Sequence, residues 1–516
     1  MFAKHVGVID LFAGPGGLGE GFSQFHSKNV FGPSVSIEMD PIACDTLRLR
    51  KLFHCLKSND KKRYYELVKS DEKITWENLK ETFKDYAEYI EDSVWNHELG
   101  SDQHDEKTTN DEIRRRLKKL GHTKDKPLVI IGGPPCQAYS LIGRASRKQM
   151  SLKGNYVPEK DNRHFLYQWY LNIIPEFKPD AFVMENVPGI LSSKVNDKPI
   201  FKQILKDLRG LGYELFSLKE NRQLDLFDQD LDFKLKASDY GVAQDRQRVI
   251  VLGLKEDIAT AKKISCLTQK ETNTVESLLS EMPKLRSGLS KVEKTKTKDS
   301  LENWKEHLRQ KYWEGFKGIE ADIKKELKKS IKKIQDNKYS CDRGGKYIPC
   351  AKYGYSNRIS SELSDWYVDE NVGGYLNHES RSHMDCDLRR YLFNSVFTSV
   401  RGRSPLLNDY PPFLQPDHKN KHAGNHKDRF RTIRGSSPSK TITSHISKDG
   451  HAFIHPDPIQ CRSLTVREAA RIQSFPDNYF FCGNRTQQYH QVGNAVPPYL
   501  AYQIAEVVHK ILDEEN

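Results

Sequence analysis

The sequence predicts an α/β fold, with an open, mixed but mostly parallel sheet in a large first domain and a smaller, irregular second domain. Two observations predict it. Short apolar runs stop at glycine- or proline-rich breaks: VGVIDL before FAGPGG, VSIEMD before Pro41, LVII before GGPPC, and AFVMEN before VPG. Runs of this kind, without polar alternation, are read as strands buried on both faces, as in a parallel sheet covered by helices. The strand–helix rhythm then ceases from about Lys255 to Ser436 and resumes toward the C-terminus.

Composition narrows the partners. The 516 residues carry 82 Lys+Arg against 70 Asp+Glu, a formal charge of +12, which favours polyanions such as nucleic acid. Nine cysteines stand at 44, 55, 136, 266, 341, 350, 386, 461 and 482, without a CxxC or a His/Cys cluster at zinc spacing. No metal site is expected, and a reducing compartment is. No apolar run approaches a membrane span and MFAKHVGVIDLF lacks a signal-peptide core, so the expectation is a soluble intracellular protein with no membrane partner.

Taken in order, VGVIDLFAGPGGLGEGF (6–22) reads as strand, tight turn and helix start, with glycines at 14, 16, 17 and 19 that let the backbone approach a ligand. The next strand ends in Glu38, about where an acid holds ribose hydroxyls in nucleotide-binding folds. A helix follows Pro41. The charged stretch up to Lys126, interrupted by Tyr64, Tyr65, Trp76, Phe83, Tyr86 and Trp95, reads as helices lengthening a crossover. GGPPCQAYS (132–140) delivers Cys136 at a sheet edge, where a thiolate can attack an electrophilic carbon, although a lone cysteine more often fills a core. The 138–155 loop, with Gly143, Gly154, Arg144, Arg147 and Lys148, suits a lid over a charged substrate. A helical segment near Asp161–Ile174 precedes DAFVMENVPG (180–189), whose Glu185 and Asn186 end a strand on the same edge as Cys136.

Residues 233–254 predict two strands joined by a loop bearing Gln244, Arg246 and Arg248. Arginines two apart on an extended segment share one side and can grip phosphate or a base carbonyl, although an ordinary polar strand reads the same way. In the irregular span, Ile319, Ile323, Leu327, Ile331 and Ile334 mark an amphipathic helix. Its other faces carry Lys324, Lys325, Lys328, Lys329, Lys332 and Lys333, a pattern more often solvated than DNA-reading. Tyr391, Arg401, Arg403, His422, Arg429, Arg431 and Arg434 add basic and aromatic groups. Thr465 and Glu468 form a capping box for a helix that Pro476 would stop, and Leu500, Ile504, Val508 and Ile511 form one face of a closing helix.

With these motifs in order, nearly the whole chain resembles the bacterial cytosine-5 DNA methyltransferase family. DLFAGPGG is similar to its S-adenosylmethionine turn, GGPPCQ to its nucleophile motif, ENVPG to its glutamate motif and QDRQR to its arginine motif. RSLTVREAARIQSFPD and QVGNAVPP resemble its last two motifs. The resemblance implies a Rossmann-like S-adenosyl-L-methionine-dependent methyltransferase domain. Cys136 is then the nucleophile and Glu185 the acid that meets the cytosine ring, with Arg246 and Arg248 beside the flipped base. Phe12, Gly14, Pro15, Gly16, Gly17, Leu18, Glu38, Met39, Asn494 and Val496 surround the cofactor. The acidic residue that usually follows the third strand and meets the adenine is not evident in 41–126.

The implied organisation is a catalytic domain over 1–254 with a charged insertion at about 51–126, a target-recognition domain over 255–436, and a segment, 437–516, returning to the first. The implied partner is double-stranded DNA, in a monomeric, cytoplasmic, nucleoid-associated protein that is either part of a restriction-modification system with a separately acting endonuclease or an orphan methylase. An RNA cytosine-5 methyltransferase and a catalytically silent DNA-binding regulator stay open; the large basic 255–436 span favours DNA, and intact Cys136 and Glu185 favour catalysis. A nicotinamide dehydrogenase is a poor fit, because the turn is FAGPGG rather than GxGxxG. The target sequence is not encoded in composition.

Overall fold

A computed structural model describes residues 6–25, 30–101, 105–134, 166–195, 198–219, 232–262, 264–290, 298–336, 338–354, 358–415 and 430–513. These residues divide into two compact units. The first lies within Met1–Lys61, Ile74–Thr272 and Ala495–Asn516, and the second within Lys62–Lys73 and Asn273–Asn494. The boundaries differ from the sequence-based ones of 254 and 436. The chain leaves the first unit after a further helix (Glu256–Ala261) and rejoins it at Ala495 rather than near 437.

The first unit is built on one sheet with strands β1 (Val6–Leu11), β2 (Phe31–Glu38), β3 (Val94–Asn96), β4 (Leu128–Gly132), β5 (Ala181–Asn186), β6 (Tyr213–Phe216), β7 (Lys234–Lys236) and β8 (Gln247–Lys255). Their spatial order is β3-β2-β1-β4-β5-β8-β6, with β7 added beside β8. The strands β3, β2, β1, β4 and β5 are mutually parallel, and β8 runs antiparallel to β5, β6 and β7. Strand order reverses between β1 and β4, which in open α/β sheets marks the crevice where ligands bind. Register aligns the carboxyl ends there: Leu11 sits beside Ile37 and Gly132, and Gly132 beside Met184.

Apolar side chains of β1, β2, β4 and β5 pack on helices Glu106–Lys119 and Leu166–Phe177 through Ile9, Leu11, Ile37, Ile130, Ile113 and Ile173. On helix Gly17–Gln24, a Cβ at Gly21 would lie 2.4 Å from the Ala501 carbonyl carbon, so glycine lets the closing helix Pro498–Leu512 lie directly against it. That helix buries Leu500, Ile504, Val508 and Ile511, the face read from the sequence, and starts at Pro498.

The charged stretch after Pro41 forms helices Pro41–Cys55, Ser58–Lys69, Trp76–Lys80 and Lys84–Ser93, with Tyr64, Tyr65, Trp76 and Phe83 buried. It also contains β3, which sequence reading did not locate. Lys62–Lys73 pack with the second unit: Lys69 Nζ donates to the Asn371 carbonyl at 2.7 Å, and Tyr65 to Asp369.

In the second unit, helix Ala321–Gln335 buries Ile323, Leu327, Ile331 and Ile334 in one cluster with Leu388, Leu392 and Val396 of helix Asp385–Arg401. The Thr465/Glu468 capping box is present, but its helix ends at Ile472, short of Pro476. Ser474 takes a left-handed φ of 64°, and the Phe475 amide donates to the Ala470 carbonyl at 2.9 Å, closing the helix first. QVGNAVPP is split: Gln491–Asn494 end helix Arg485–Asn494, and the prolines open the next.

One buried ion cluster ties the turn-bearing helix to its neighbour. Glu20 accepts from Arg50 Nε at 2.8 Å and from Gln24 at 2.9 Å, and lies 3.0 Å from His54 Nε2. Burial alone would raise the Glu20 carboxyl, but Arg50 and His54 hold it well below the usual carboxylate range. Glu20→Ala leaves those cations buried without a counter-charge and is expected to cost about 3–5 kcal/mol at neutral pH, measured as urea unfolding of the first unit. Because the folded-state value is depressed, this contribution is complete above the unfolded value near 4.5 and is lost as pH falls below it. The gap between wild type and variant should therefore hold from pH 6 to 8 and narrow in acid.

Candidate active site

At the end of β1, Phe12 (φ 56°), Gly14 (φ 56°) and Gly16 (φ 92°) turn the backbone through left-handed conformations into helix Gly17–Gln24. A non-glycine residue such as Phe12 holds that conformation at a cost, a feature that collects at functional sites. The Gly14 amide donates to Glu38 Oε2 at 2.8 Å, and the Asp40 amide to Oε1 at 2.9 Å, so the carboxylate at the end of β2 is fixed beside the turn. Burial pushes the Glu38 carboxyl up, against the backbone donors, which lower it. Asp40 in turn caps helix Pro41–Cys55 through the amides of Ile42 and Ala43. Space above Gly14 is open, since a Cβ at that position would meet no atom within 4 Å, whereas at Gly17 a Cβ would lie 2.2 Å from the Val496 carbonyl oxygen. Pro15, Gly16, Gly17 and Leu18 are buried, and Met39 is 60 % exposed.

Beneath this turn, Asp10 is 2 % exposed, and neither carboxylate oxygen has a hydrogen-bond partner among the described residues. Burial pushes its carboxyl up to about 7. Sequence reading passed over Asp10, because an acid inside an apolar strand gives no periodic signal.

The second cluster lies at the ends of β4 and β5. Gly133 follows β4, and a Cβ there would lie 2.5 Å from Glu185 Oε2. Glu185 Oε1 forms an ion pair with Arg248 Nε at 2.5 Å, both side chains being largely buried. Burial lowers Arg248, while Glu185 opposes that shift. Arg246 is 1 % exposed, and burial is also the leading cause of its lowering. Asn186, buried, donates from Nδ2 to the Pro134 carbonyl at 3.2 Å and accepts from the Val187 amide at 2.8 Å, tying the end of β5 to the proline loop. Sequence reading placed Asn186 at this edge but gave it no role.

Cys136 and the 138–155 loop lie outside the described residues, which stop at Pro134 on this side. Of the sequence-predicted cofactor residues, Phe12, Gly14, Pro15, Gly16, Gly17, Leu18, Glu38, Met39 and Val496 belong to the first unit and Asn494 to the second. Asn494 lies within 3.3 Å of its helix neighbour His490. The third strand, which sequence reading did not locate, runs beside the end of β2. Asn96 sits opposite Glu38 and donates to the carbonyls of Glu38 (3.0 Å) and Met39 (2.9 Å), and the rings of Trp95 and His97 stack at 4.1 Å. A three-residue strand between charged helices leaves too short a pattern to read.

The family model for C-5 cytosine-specific DNA methylase matches residues 96–510. The chain belongs to that family. The methylase is 33 % identical over 521 residues to the Type II methyltransferase M.Bpa9945I of Bacillus paralicheniformis, spanning 98 % of this chain and 99 % of that one. It is 28 % identical to the Type II methyltransferase M.DdeI of Desulfomicrobium norvegicum, over 75 % and 74 % of the two chains. With the DNA (cytosine-5-)-methyltransferase M.ApeKI of Aeropyrum pernix it shares 25 % identity over 75 % and 81 %. Among solved structures it resembles an Escherichia coli prophage-encoded protein assigned as a DNA modification methyltransferase. The TM-score is 0.50 at 20 % identity, covering 99 % and 100 % of the chains, a likeness of fold. The methylase is thus a DNA (cytosine-5) methyltransferase with a Rossmann-like first unit.

The close approach at Gly133 gives a test that spares the core. Gly133→Ala places a methyl group against the Glu185 carboxylate, which must swing away from Arg248. Methyl transfer is expected to fall about tenfold or more, because misplacement of a positioned group is costly, and the unfolding midpoint to drop as well, because Arg248 loses its largely buried partner. Single-turnover rates and thermal melts of the same preparation check both halves.

Proposed function

We propose that the methylase modifies carbon 5 of a cytosine flipped out of duplex DNA, with Cys136 as nucleophile, Glu185 as the group that meets the ring, and Arg248 as the residue that holds Glu185. The observation that carries this reading is the Glu185–Arg248 ion pair set against Gly133, three residues before Cys136 in the chain. Carbon 5 of cytosine is a weak nucleophile until a thiolate adds to carbon 6. Cys136 makes that bond, and Glu185 holds a proton at ring nitrogen 3 and accepts from the exocyclic amine, so that charge does not build in the ring. Arg248 fixes the carboxylate in place, and Arg246 lies two residues away, just before the start of the same strand. After methylation, loss of the carbon 5 proton re-forms the ring double bond and expels the Cys136 thiolate. A stacked base exposes neither face to such attack, hence the need for flipping, and the 138–155 loop is inferred to fill the gap.

The turn fits S-adenosyl-L-methionine, which supplies the electrophilic methyl group when bound. Open space at Gly14, the left-handed turn and a Glu38 carboxylate at its edge suit a nucleoside, with Glu38 holding the ribose hydroxyls. Phe12, Pro15, Gly16, Gly17, Leu18 and Met39 would border it, and Val496 would back the turn.

We infer that residues 255–436 read the target sequence. Among the groups expected to make contacts there, Tyr391 is buried between His383 and His451, Arg401 pairs with Glu320 and Asp322, and Arg403 pairs with Asp409. These are engaged within the unit, which leaves other side chains to meet DNA. His422 and Arg429 lie outside the described residues. The Type II names of the relatives favour a restriction-modification setting, with a separately acting endonuclease, for a monomeric cytoplasmic enzyme associated with the nucleoid.

Labelled S-adenosyl-L-methionine should transfer its methyl group to cytosine in duplex DNA and not to tRNA. Transfer to tRNA alone would replace the DNA reading. Glu185→Gln should lower the single-turnover rate by about a hundredfold or more while DNA affinity stays within a few-fold, because its contact strengthens as the ring accepts the thiolate. Equal losses in rate and affinity would reduce Glu185 to a structural part.

A further inference from the structure

We infer that the outer face of helix Ala321–Gln335 is a phosphate track for duplex DNA, binding the backbone without reading bases. This rests on the reading of the second unit as the DNA-contacting one. The helix carries Lys324, Lys325, Lys328, Lys329, Lys332 and Lys333 against two acids, Asp322 and Glu326. Its apolar face is committed to the core through Ile323, Leu327, Ile331 and Ile334, so the lysine side is fixed outward. Lys325, Lys328, Lys329, Lys332 and Lys333 are all exposed.

The fold also reduces the competing negative charge. Arg401, from the neighbouring helix, holds Asp322 at 2.5 Å and Glu320 at 2.6 Å, which offsets one of the two negative charges at the start of the helix. Glu326 is taken by Lys329 at 3.2 Å. Lys328 lies 5.5 Å above the Phe316 ring, which leaves its charge unneutralised. Among the described residues, Lys325, Lys332 and Lys333 make no ion pair. These lysines recur one helical turn apart, about every 5.4 Å, beside a polyanion that carries a charge about every 1.7 Å of its axis. A solvated helix needs only mixed charges for solubility; here six lysines stand against two acids, and each acid is engaged by a basic side chain. Lysine also suits the role chemically, since it is a point charge that neutralises phosphate without the planar fork that arginine uses on guanine.

The test is Lys325→Gln, Lys328→Gln, Lys332→Gln and Lys333→Gln together in the full chain, since glutamine keeps helix propensity and length while removing charge. Affinity for the methylated duplex and for an unrelated duplex is measured across a potassium chloride series. Both affinities should fall about tenfold or more at low salt, the slope of log affinity against log salt should flatten by roughly 2 to 4, and the methylated site should not change. The same positions changed to arginine should restore the slope, showing that charge rather than lost structure is responsible. Removing equal charge at exposed Lys84, Lys107, Lys118 and Lys124 should leave the slope nearly unchanged. An unchanged slope in the helix variant, or an equal loss in the control, overturns the proposal, and a new methylated site with an unchanged slope would make the helix a base reader instead. A wild-type chain that methylates DNA but shows either result loses only this assignment; one that methylates no DNA loses the functional reading beneath it.

Discussion

One antiparallel strand in an otherwise parallel neighbourhood brings Glu185 and Arg248 together at one edge of the sheet. Strands β1, β2, β4 and β5 all deliver their carboxyl ends to one side of the sheet, and β8, running the other way, delivers its amino end to that same side. Arg248 at the start of β8 therefore meets Glu185 at the end of β5. A largely buried ion pair contributes little net stability once desolvation is counted. Its value is geometric, because it fixes the direction of a carboxylate that would otherwise sample several rotamers, beside the loop that leads to Cys136.

Around that edge, each contact limits how far the two clusters can shift within the first unit. Glu20 with Arg50 and His54 locks the turn-bearing helix to helix Pro41–Cys55, whose cap, Asp40, also donates its amide to Glu38. Glycines at 17 and 21 admit the Val496 carbonyl and the closing helix to within contact. Asn186 ties the loop after β4 to the end of β5. The turn at the ends of β1 and β2 and the Glu185–Arg248 pair at the ends of β4, β5 and β8 are thereby parts of one sheet rather than independent loops.

Much of this was legible because buried parallel strands write long apolar runs and their ends write glycine and proline. The turn at Phe12–Gly17, Glu38 and Glu185 were found that way, and the closing helix by its proline start and the helical spacing of Leu500, Ile504, Val508 and Ile511. What escaped lacks such a signature. Strand β3 has three residues between charged helices, and its pairing with Ser36, Ile37 and Glu38 is a tertiary fact. Asp10 is an acid where periodicity demands an apolar residue, a local violation that tends to mark function. The end of the Thr465 helix was misplaced because Ser474 closes it before Pro476 can. In the irregular second unit, basic residues such as Arg401 and Arg403 looked available but are spent on acids that only the folded chain brings beside them, which composition cannot show.

Covalent addition by Cys136 is the step on which the proposed chemistry depends. A duplex carrying 5-fluorocytosine at the methylated position, incubated with the enzyme and S-adenosyl-L-methionine, tests it directly, because fluorine cannot leave as a cation and elimination stalls after methylation. Peptide mass spectrometry of the trapped complex should find the nucleotide on the peptide containing Cys136, only when the cofactor is present, and not in Cys136→Ser. A substrate that is methylated in its unfluorinated form yet yields no adduct, or an adduct on another of the nine cysteines, would contradict it.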